Sequence, residues 1–342
     1  MRAMVLRGKD LAIEELDRPV PGPMQVLARV RACGICGSDL HFARYADEMI
    51  AVSRSSDPAG WSAMDLDRGV VMGHEFVAEV IEAGPGAESW TPGTRVASVP
   101  VLPAPGTPRG VQSIGYSSDI PGAYGEYVVM AAPLLLRVPD GVADRVAATT
   151  EPCAVGLHAV REARIQPGER ALVMGAGPIG LMTLIWLKQH GVTGVAVSEY
   201  AAPRRALAQR LGADLVIDPA TEDVATRLGE IGGAPPVVFE CVGVPGTLQQ
   251  AMTLVERRGR VVVVGVCMPE DQIRPLLGIN KHLTIQFVLG YTPEEFKEAL
   301  EAIGDGRVDP APLVTRSVTL EELPEAFKSL SDPTECKIVL EF

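Results

Sequence analysis

The stretch Gly175-Ala176-Gly177-Pro178-Ile179-Gly180 restricts the fold of this chain more than any other. It follows a short apolar run, 170–174, and opens an apolar helical stretch that reaches His190. In that setting the three glycines permit a tight turn, close approach of backbone to a pyrophosphate, and close packing of helix on strand. The helix N-terminus then offers free N–H groups and a positive dipole end to the phosphates. Glu199 ends the next run, 195–198, where a carboxylate accepts ribose hydroxyls. That favours NAD, because the extra phosphate of NADP would be repelled; Arg204 and Arg205, close by, soften the preference. Runs at 215–217, 237–240, 261–264 and 283–287 continue the series, with helical stretches between most of them. They are nearly all Val, Ile and Leu, as expected of strands buried on both faces of a parallel sheet.

Residues 1–140 follow a different rhythm. Short apolar or alternating runs at 1–6, 26–32, 76–83, 94–99 and 125–130 read as strands separated by Gly/Pro turns. Two parts, 45–69 and 101–122, read as long irregular segments, which in a compact domain are usually functional. Beyond Tyr291 a helix is expected over 293–303, a capping box at Thr319–Glu322 starts another, and 337–342 reads as a closing strand. This tail is expected to pack on the N-terminal β region. A length of 342 residues suits two domains. The net charge of −12 argues against nucleic acid or an anionic membrane as general partner, and no apolar run is long enough to span a bilayer. No signal peptide is evident, and Cys33, Cys36, Cys153, Cys241, Cys267 and Cys336 are too scattered for a disulfide framework. A cytoplasmic protein with reduced thiols is the expectation.

The polar residues concentrate in ACGICGSDLHF, positions 32–42, which sets Cys36, Ser38, Asp39 and His41 within six residues. Alone, Cys33 and Cys36 read as well as a CxxC redox pair or two buried core cysteines as they do as part of a metal site. Gly73-His74-Glu75 adds an imidazole and a carboxylate just before a strand. A thiolate and an imidazole on glycine-bounded turns are two of the ligands of a catalytic zinc, which takes three protein ligands and keeps one position open.

With these motifs the chain resembles the zinc-dependent medium-chain dehydrogenases, most nearly the sorbitol (polyol) branch. The resemblance rests on GICGSDLH (34–41), GHE (73–75), GEY (125–127), EPCAVGLHA (151–159), VMGAGPIG (173–180) and FECVG (239–243). It implies an α/β protein with a GroES-like β catalytic domain, 1–151 and 290–342, and a Rossmann doubly wound coenzyme domain, 152–289, with zinc in the cleft. By the same resemblance the metal ligands are Cys36, His74 and Glu151, with Glu75 a fourth ligand or just behind, and Asp39 holds the other ring nitrogen of His74. Ser38 and then His41 carry the proton away. Cys241, Val242, Gly243, Val264, Gly265 and Val266 line the nicotinamide, and Lys337 contacts the pyrophosphate. Cys153 and Cys33 are expected in the core, and His158 in a helix at the domain junction.

Two departures matter. The segment 98–124, where many members hold a structural zinc with four cysteines, contains none; one catalytic zinc per chain is expected and no structural zinc. The pocket positions that carry Tyr and Arg in polyol enzymes are Phe42 and Gly290, beside Leu289, and Trp61 adds apolar wall. Such a pocket leaves the hydroxyls of a polyol unpaired, so the expected substrate is a secondary alcohol or small diol and its ketone. The alternatives are a sorbitol-type polyol dehydrogenase and a non-catalytic nucleotide-binding module. The resemblance also implies a homodimer or homotetramer, with strand 261–264 pairing across a two-fold.

Overall fold

The computed structural model describes residues 1–56, 64–105, 110–330, 332 and 334–342. Two compact units divide the chain: Met1–Glu151 with Val314–Ser331 and Lys337–Phe342, and Pro152–Leu313 with Asp332–Cys336.

In chain order the first unit begins with β1 (Arg2–Arg7), β2 (Asp10–Glu15), β3 (Gln25–Gly34), α1 (Gly37–Ser56), β4 (Val70–Val71), β5 (Glu75–Ala83) and β6 (Arg95–Ser98). A short hairpin of β7 (Val101–Pro103) and β8 (Val111–Ser113) follows, then β9 (Tyr127–Ala131), β10 (Leu135–Arg137) and α2 (Asp144–Ala147). Helix α3 (Thr150–Glu162) leads into the second unit. There the elements are β11 (Ala171–Met174), α4 (Pro178–Gln189), β12 (Val195–Ser198), α5 (Ala202–Arg210), β13 (Leu215–Ile217), α6 (Val224–Leu228), β14 (Val237–Glu240), α7 (Thr247–Leu254), β15 (Arg260–Val263), α8 (Pro275–Lys281), β16 (Thr284–Phe287) and α9 (Pro293–Gly304). The chain then returns to the first unit with β17 (Val314–Val318), α10 (Leu323–Ser329) and β18 (Lys337–Glu341).

The main sheet of the first unit runs β10-β6-β5-β3-β18-β17. Strand β3 is long enough to take two partners along one edge: β9 pairs Gln25 to Arg29, and β18 pairs Ala32 to Gly34. A core of alternating inward residues, among them Val26, Ala28, Val30, Phe76, Ala78 and Val80, lies beneath it. The segment 45–69, expected to be irregular, is helical in its first part. Helix α1 runs on to Ser56 across a break at Tyr45, whose φ of −128° and ψ of 31° interrupt the helix. The segment 101–122 holds the β7–β8 hairpin instead of being wholly irregular.

The second unit is a six-stranded sheet, parallel throughout, of order β13-β12-β11-β14-β15-β16. This is the doubly wound order, whose ligand crevice opens at the carboxyl ends of the strands where the order reverses, here β11 and β14. The glycine turn sits on that edge. Gly175 has φ +89°, and a Cβ on Gly180 would lie 2.0 Å from the carbonyl oxygen of Gly175. Only glycine at 180 lets α4 start so close to its strand.

The expected boundary at residue 290 moves. Residues 290–313 and 332–336 belong to the second unit. The reason is helix α9, which buries Phe296, Ala299, Leu300 and Ile303 and sends Glu295 to His158 Nδ1 at 2.9 Å. The complete capping box lies here, at Thr292 and Glu295. At Thr319 only the returning half forms, from the Thr319 N–H to Glu322 at 2.8 Å, and helix α10 starts later at Leu323. His158 is thus a helix residue bonded within the second unit.

Gly180→Ala is expected to force α4 away from β11 at a cost of about 1–3 kcal/mol. A thermal melt should show a lower midpoint and a fluorescence titration weakened NADH binding; an unchanged melt and titration would contradict the close packing.

Candidate metal centre

Three turns bring the site together in the first unit. The first is 35–36, where β3 ends and α1 begins. It is pinned by the Ile35 N–H donating to Ile338 O at 2.9 Å, and the Cys36 N–H points to Asp39 Oδ2 at 3.3 Å. The second is Gly73, with φ +95°, where an added Cβ would lie 2.7 Å from the backbone nitrogen of Tyr124. That turn delivers His74 and Glu75 at the head of β5. The third follows β8 and delivers Tyr116.

The ligand atoms of Cys36, His74 and Glu75 lie within 4.8 Å of one another. Asp39 is fully buried behind them. Its Oδ2 accepts from the Tyr124 hydroxyl at 2.6 Å; its Oδ1 lies 3.0 Å from the Tyr116 hydroxyl and 3.4 Å from His74 Nδ1. The latter approach is too poorly aligned to count as a hydrogen bond, and Nδ1 is a buried polar atom with no other partner. Ser38 Oγ donates to Cys36 Sγ at 3.1 Å and lies 2.8 Å from the Tyr116 hydroxyl. Burial pushes the Cys36 thiol up, and the Glu75 charge adds to this against the opposing His74. Burial works to lower the His74 pKa, but Asp39 and Cys36 beside it raise it well above the ordinary value. A thiol and an imidazole set beside a buried carboxylate form a donor set that a divalent cation can satisfy. A sulfur, a nitrogen and an oxygen donor in one cluster suit zinc. The unpartnered Nδ1 then has Asp39 waiting for its proton, as a metal-bound histidine requires.

Several expected residues lie elsewhere. Lys337 does not face a pyrophosphate site: its side chain is buried, and Nζ donates to both Glu75 oxygens at 2.8 Å and to Ile35 O at 2.9 Å. The carboxylate so held lies over Gly34, where a Cβ would come within 2.1 Å of Glu75 Oε2. Phe42 is not a pocket wall; it is fully buried, edge-on to Tyr116 with ring centroids 5.6 Å apart. Glu151 stands in the first turn of α3, outside the three-residue cluster. His41 lies on α1 stacked on Tyr45, and burial, followed by the Arg44 charge, lowers its pKa. Trp61 is outside the described residues. Tyr116 and Tyr124, which hold Asp39, were invisible in the motifs because they lie 77 and 85 residues from it.

In the second unit Glu199 accepts from the Ala176 N–H and the Ala201 N–H, both at 2.8 Å, which ties the glycine turn to the end of β12. Arg204 donates to Glu335 O at 3.0 Å, while its Nε is buried without a partner. Arg205 is committed to the Glu199 and Tyr200 carbonyls and to Asp218. Cys241, Val242 and Gly243 form a strip against 264–266, where an added Cβ on Gly243 would meet Val266 N at 2.7 Å. Glu240 locks the strip: its carboxylate accepts from the Val242 and Gly243 N–H groups at 2.8 and 2.9 Å, and its carbonyl from those of Val264 and Gly265. Leu289 is 83 % exposed and Gly290 adopts φ +70°.

Cys36→Ser is expected to leave less than about a tenth of the wild-type zinc after dialysis, since the thiolate is the strongest donor of the set; metal analysis by plasma mass spectrometry reads this directly. Lys337→Met would strand a buried Glu75 charge and destabilise the first unit by about 3–5 kcal/mol, visible as a lower melting midpoint.

Comparison with known proteins agrees with this geometry. Residues 22–140 match the alcohol dehydrogenase GroES-like domain and 178–305 the zinc-binding dehydrogenase domain. (R,R)-butanediol dehydrogenase of Bacillus subtilis is 33 % identical, over 97 % of this chain and 96 % of that protein. Its crystal structure superposes with a TM-score of 0.86 at 31 % identity, covering 100 % of this chain and 99 % of the other. Sorbitol dehydrogenase of Gallus gallus is 31 % identical over 99 % of this chain and 95 % of that one. A protein of Sinorhizobium meliloti 1021 assigned as a zinc-binding dehydrogenase and solved with NADP has a TM-score of 0.87 at 27 % identity, over 100 % and 99 % of the two chains. The chain therefore belongs to the zinc-type medium-chain alcohol dehydrogenases, oxidoreductases that act on CH–OH groups and use a nicotinamide cofactor.

Proposed function

We propose that this enzyme interconverts a secondary alcohol or small diol with its ketone, using NAD and one catalytic zinc per chain. The observation that carries this reading is the cluster of half-buried Cys36 with buried His74 and Glu75, with Ser38 bonded to the sulfur. Cys36 and His74 hold the metal, and Glu151 supplies the third ligand. Glu75, clamped by Lys337, balances charge from behind. Asp39 takes the His74 Nδ1 proton in a hydrogen bond and fixes the ring. Zinc, when bound, is a Lewis acid that lowers the pKa of the substrate hydroxyl, and the nicotinamide is the hydride acceptor. Ser38 accepts the departing hydroxyl proton as its own passes on, and His41 receives the proton at the outer end of the relay. The segment 98–124 holds no cysteine, so it cannot itself form a four-thiolate site.

The similarity to butanediol dehydrogenase favours a small diol over a polyol; the sorbitol dehydrogenase relatives keep the polyol reading as second. For the cofactor, each Glu199 oxygen accepts one N–H and keeps a lone pair for a ribose hydroxyl. Arg205 is already spent on Asp218 and backbone. Plasma mass spectrometry should give about one zinc per chain, and a screen of 2,3-butanediol, 2-butanol, sorbitol and xylitol should rank the first two highest. Higher kcat/KM on sorbitol would replace the substrate reading, and a zinc-free, inactive protein would return the chain to a binding module. NAD should exceed NADP at least about tenfold in kcat/KM, since each charge repulsion of about 1.4 kcal/mol is a factor of ten; NADP preference would overturn the role of Glu199.

We further propose a homodimer or homotetramer in the cytoplasm, a compartment that suits six free cysteines. The pairing edge differs from the one expected. Strand β15 lies inside the sheet, between β14 and β16, so it is not free to pair. Strand β16 is the terminal strand, and Phe287 on it and Leu276 and Ile279 on α8 are each about two-thirds exposed. An edge strand with apolar neighbours is a template for a second copy about a two-fold axis. Light scattering should find a dimer or larger for wild type and a smaller species for Leu276→Asp/Phe287→Asp; a monomeric wild type would dismiss this edge.

A further inference from the structure

Glu240 is a buried carboxylate that the reaction described above does not use. It ends β14, where the strand order of the second unit reverses, and is only 2 % exposed. Its Oε1 accepts the N–H groups of Val242 and Gly243 at 2.8 and 2.9 Å. Its carbonyl oxygen accepts those of Val264 and Gly265, both at 2.9 Å, from the loop after β15. One residue thus joins two loops. Among the described residues no Lys, Arg or His pairs with the carboxylate; backbone N–H groups alone hold it. The loops present apolar side chains outward, with Val242 and Val266 each more than two-fifths exposed. The glycine turn abuts them: a Cβ on Gly175 would lie 2.9 Å from Val242 Cγ2 and 3.4 Å from the Cys241 carbonyl oxygen.

We propose that the buried charge of Glu240 biases the bound coenzyme toward its oxidised form, because it stands directly behind the surface that receives the nicotinamide ring. This rests on the proposed dehydrogenase reading. A dinucleotide fold takes one mononucleotide on each half of its sheet, across the point where the strand order reverses. Glu199 ends β12 and offers lone pairs to a ribose, so the adenosine half belongs to the β11-β12-β13 side. The pyrophosphate belongs to the glycine turn at the helix N-terminus. The nicotinamide half then falls on the ends of β14 and β15, which are the two loops that Glu240 joins.

The peptide groups of the strip act in the same direction as the charge. In a trans peptide the C=O points opposite to the N–H. The N–H groups of Val242 and Gly243 face Glu240, so the carbonyls of Cys241 and Val242 are turned away from it, the first of them toward the glycine turn. A carboxylate and two peptide dipoles therefore present a negative potential to the ring. The oxidised ring is a cation and the reduced ring is neutral, so only the oxidised form gains. Burial preserves the effect, since water and salt screen a buried charge much less than an exposed one. The hold that Glu240 exerts on the loops serves both forms alike; its charge serves one.

The test compares three ligands: NADH by fluorescence titration, and NAD and ADP-ribose by competition against it. ADP-ribose lacks the ring and reports on the adenosine half and the fold. The first variant is Glu240→Gln, whose amide oxygen accepts the same two N–H groups while the charge is gone. The Kd ratio of NAD to NADH should rise about tenfold, which corresponds to about 1.4 kcal/mol, a size within reach of one charge acting across a protein interior. ADP-ribose should bind within about twofold of wild type. The second variant, Glu240→Asp, keeps the charge and shortens its reach. Its melting midpoint should fall, yet its NAD to NADH ratio should stay within about threefold of wild type. An unchanged ratio in Glu240→Gln, an equal change in both variants, or a Glu240→Gln protein that no longer folds or binds ADP-ribose would each overturn the charge bias and leave the dehydrogenase reading intact. A wild-type protein that binds none of the three ligands would overturn both.

Discussion

The first unit is organised around one buried ion pair. Glu75 and Lys337 are almost wholly removed from water, and the lysine reaches both carboxylate oxygens and the Ile35 carbonyl as well. Each charge alone would carry a desolvation penalty of several kcal/mol, so neither is tolerable without the other. The pair spans β5 and β18 and lies over Gly34 at the end of β3, the only residue type that leaves room for the carboxylate. The contact therefore adds to the backbone ladders that join β3 to β5 and to β18, and ties the Cys36 turn to all three strands. Its strength is offset by its cost, and its value is geometric: it sets the place of the cluster.

Asp39 repeats the logic on a smaller scale. Burial opposes its charge, yet the nearby imidazole and the hydroxyls of Tyr124 and Tyr116 hold its carboxyl below the ordinary range. A buried carboxylate with this many donors has little freedom, and neither do the groups attached to it. The residues around the cluster are thus held from behind by side chains that never touch a substrate.

How much of this was legible follows from the range over which each signal acts. The Rossmann sheet could be read because its signals are local: Gly175 to Gly180 against an adjacent strand, and valine runs at regular intervals. Cys36 and His74 could be read because each carries its own glycine turn. Lys337 was misread because sequence fixes its register on β18 but not its depth, and the depth comes from Glu75, 262 residues away. Phe42 was misread for the same reason: its place in α1 was clear, its direction into the core was not. Helix α1 beyond Tyr45 escaped because a break at Tyr45 interrupts the period, although Ala46, Met49 and Ile50 continue the face that Phe42 packs on the core. The β16 edge emerged only from strand order, which periodicity does not encode.

The insertion of β18 into the sheet of the first unit also has a consequence in time. Strand β3 and the Cys36 turn are synthesised early, but their neighbour β18 is synthesised only after the whole of the second unit has been made. Until then Glu75 has no lysine, Ile35 lacks the Ile338 carbonyl, and half of one β3 edge is bare. The ribosome therefore delivers a nascent first unit with an open seam, to be closed last. Cys36 spends that interval as an unprotected thiol beside an unfinished sheet, so biogenesis of this enzyme is exposed to oxidation and to edge-to-edge association in a way the finished fold is not.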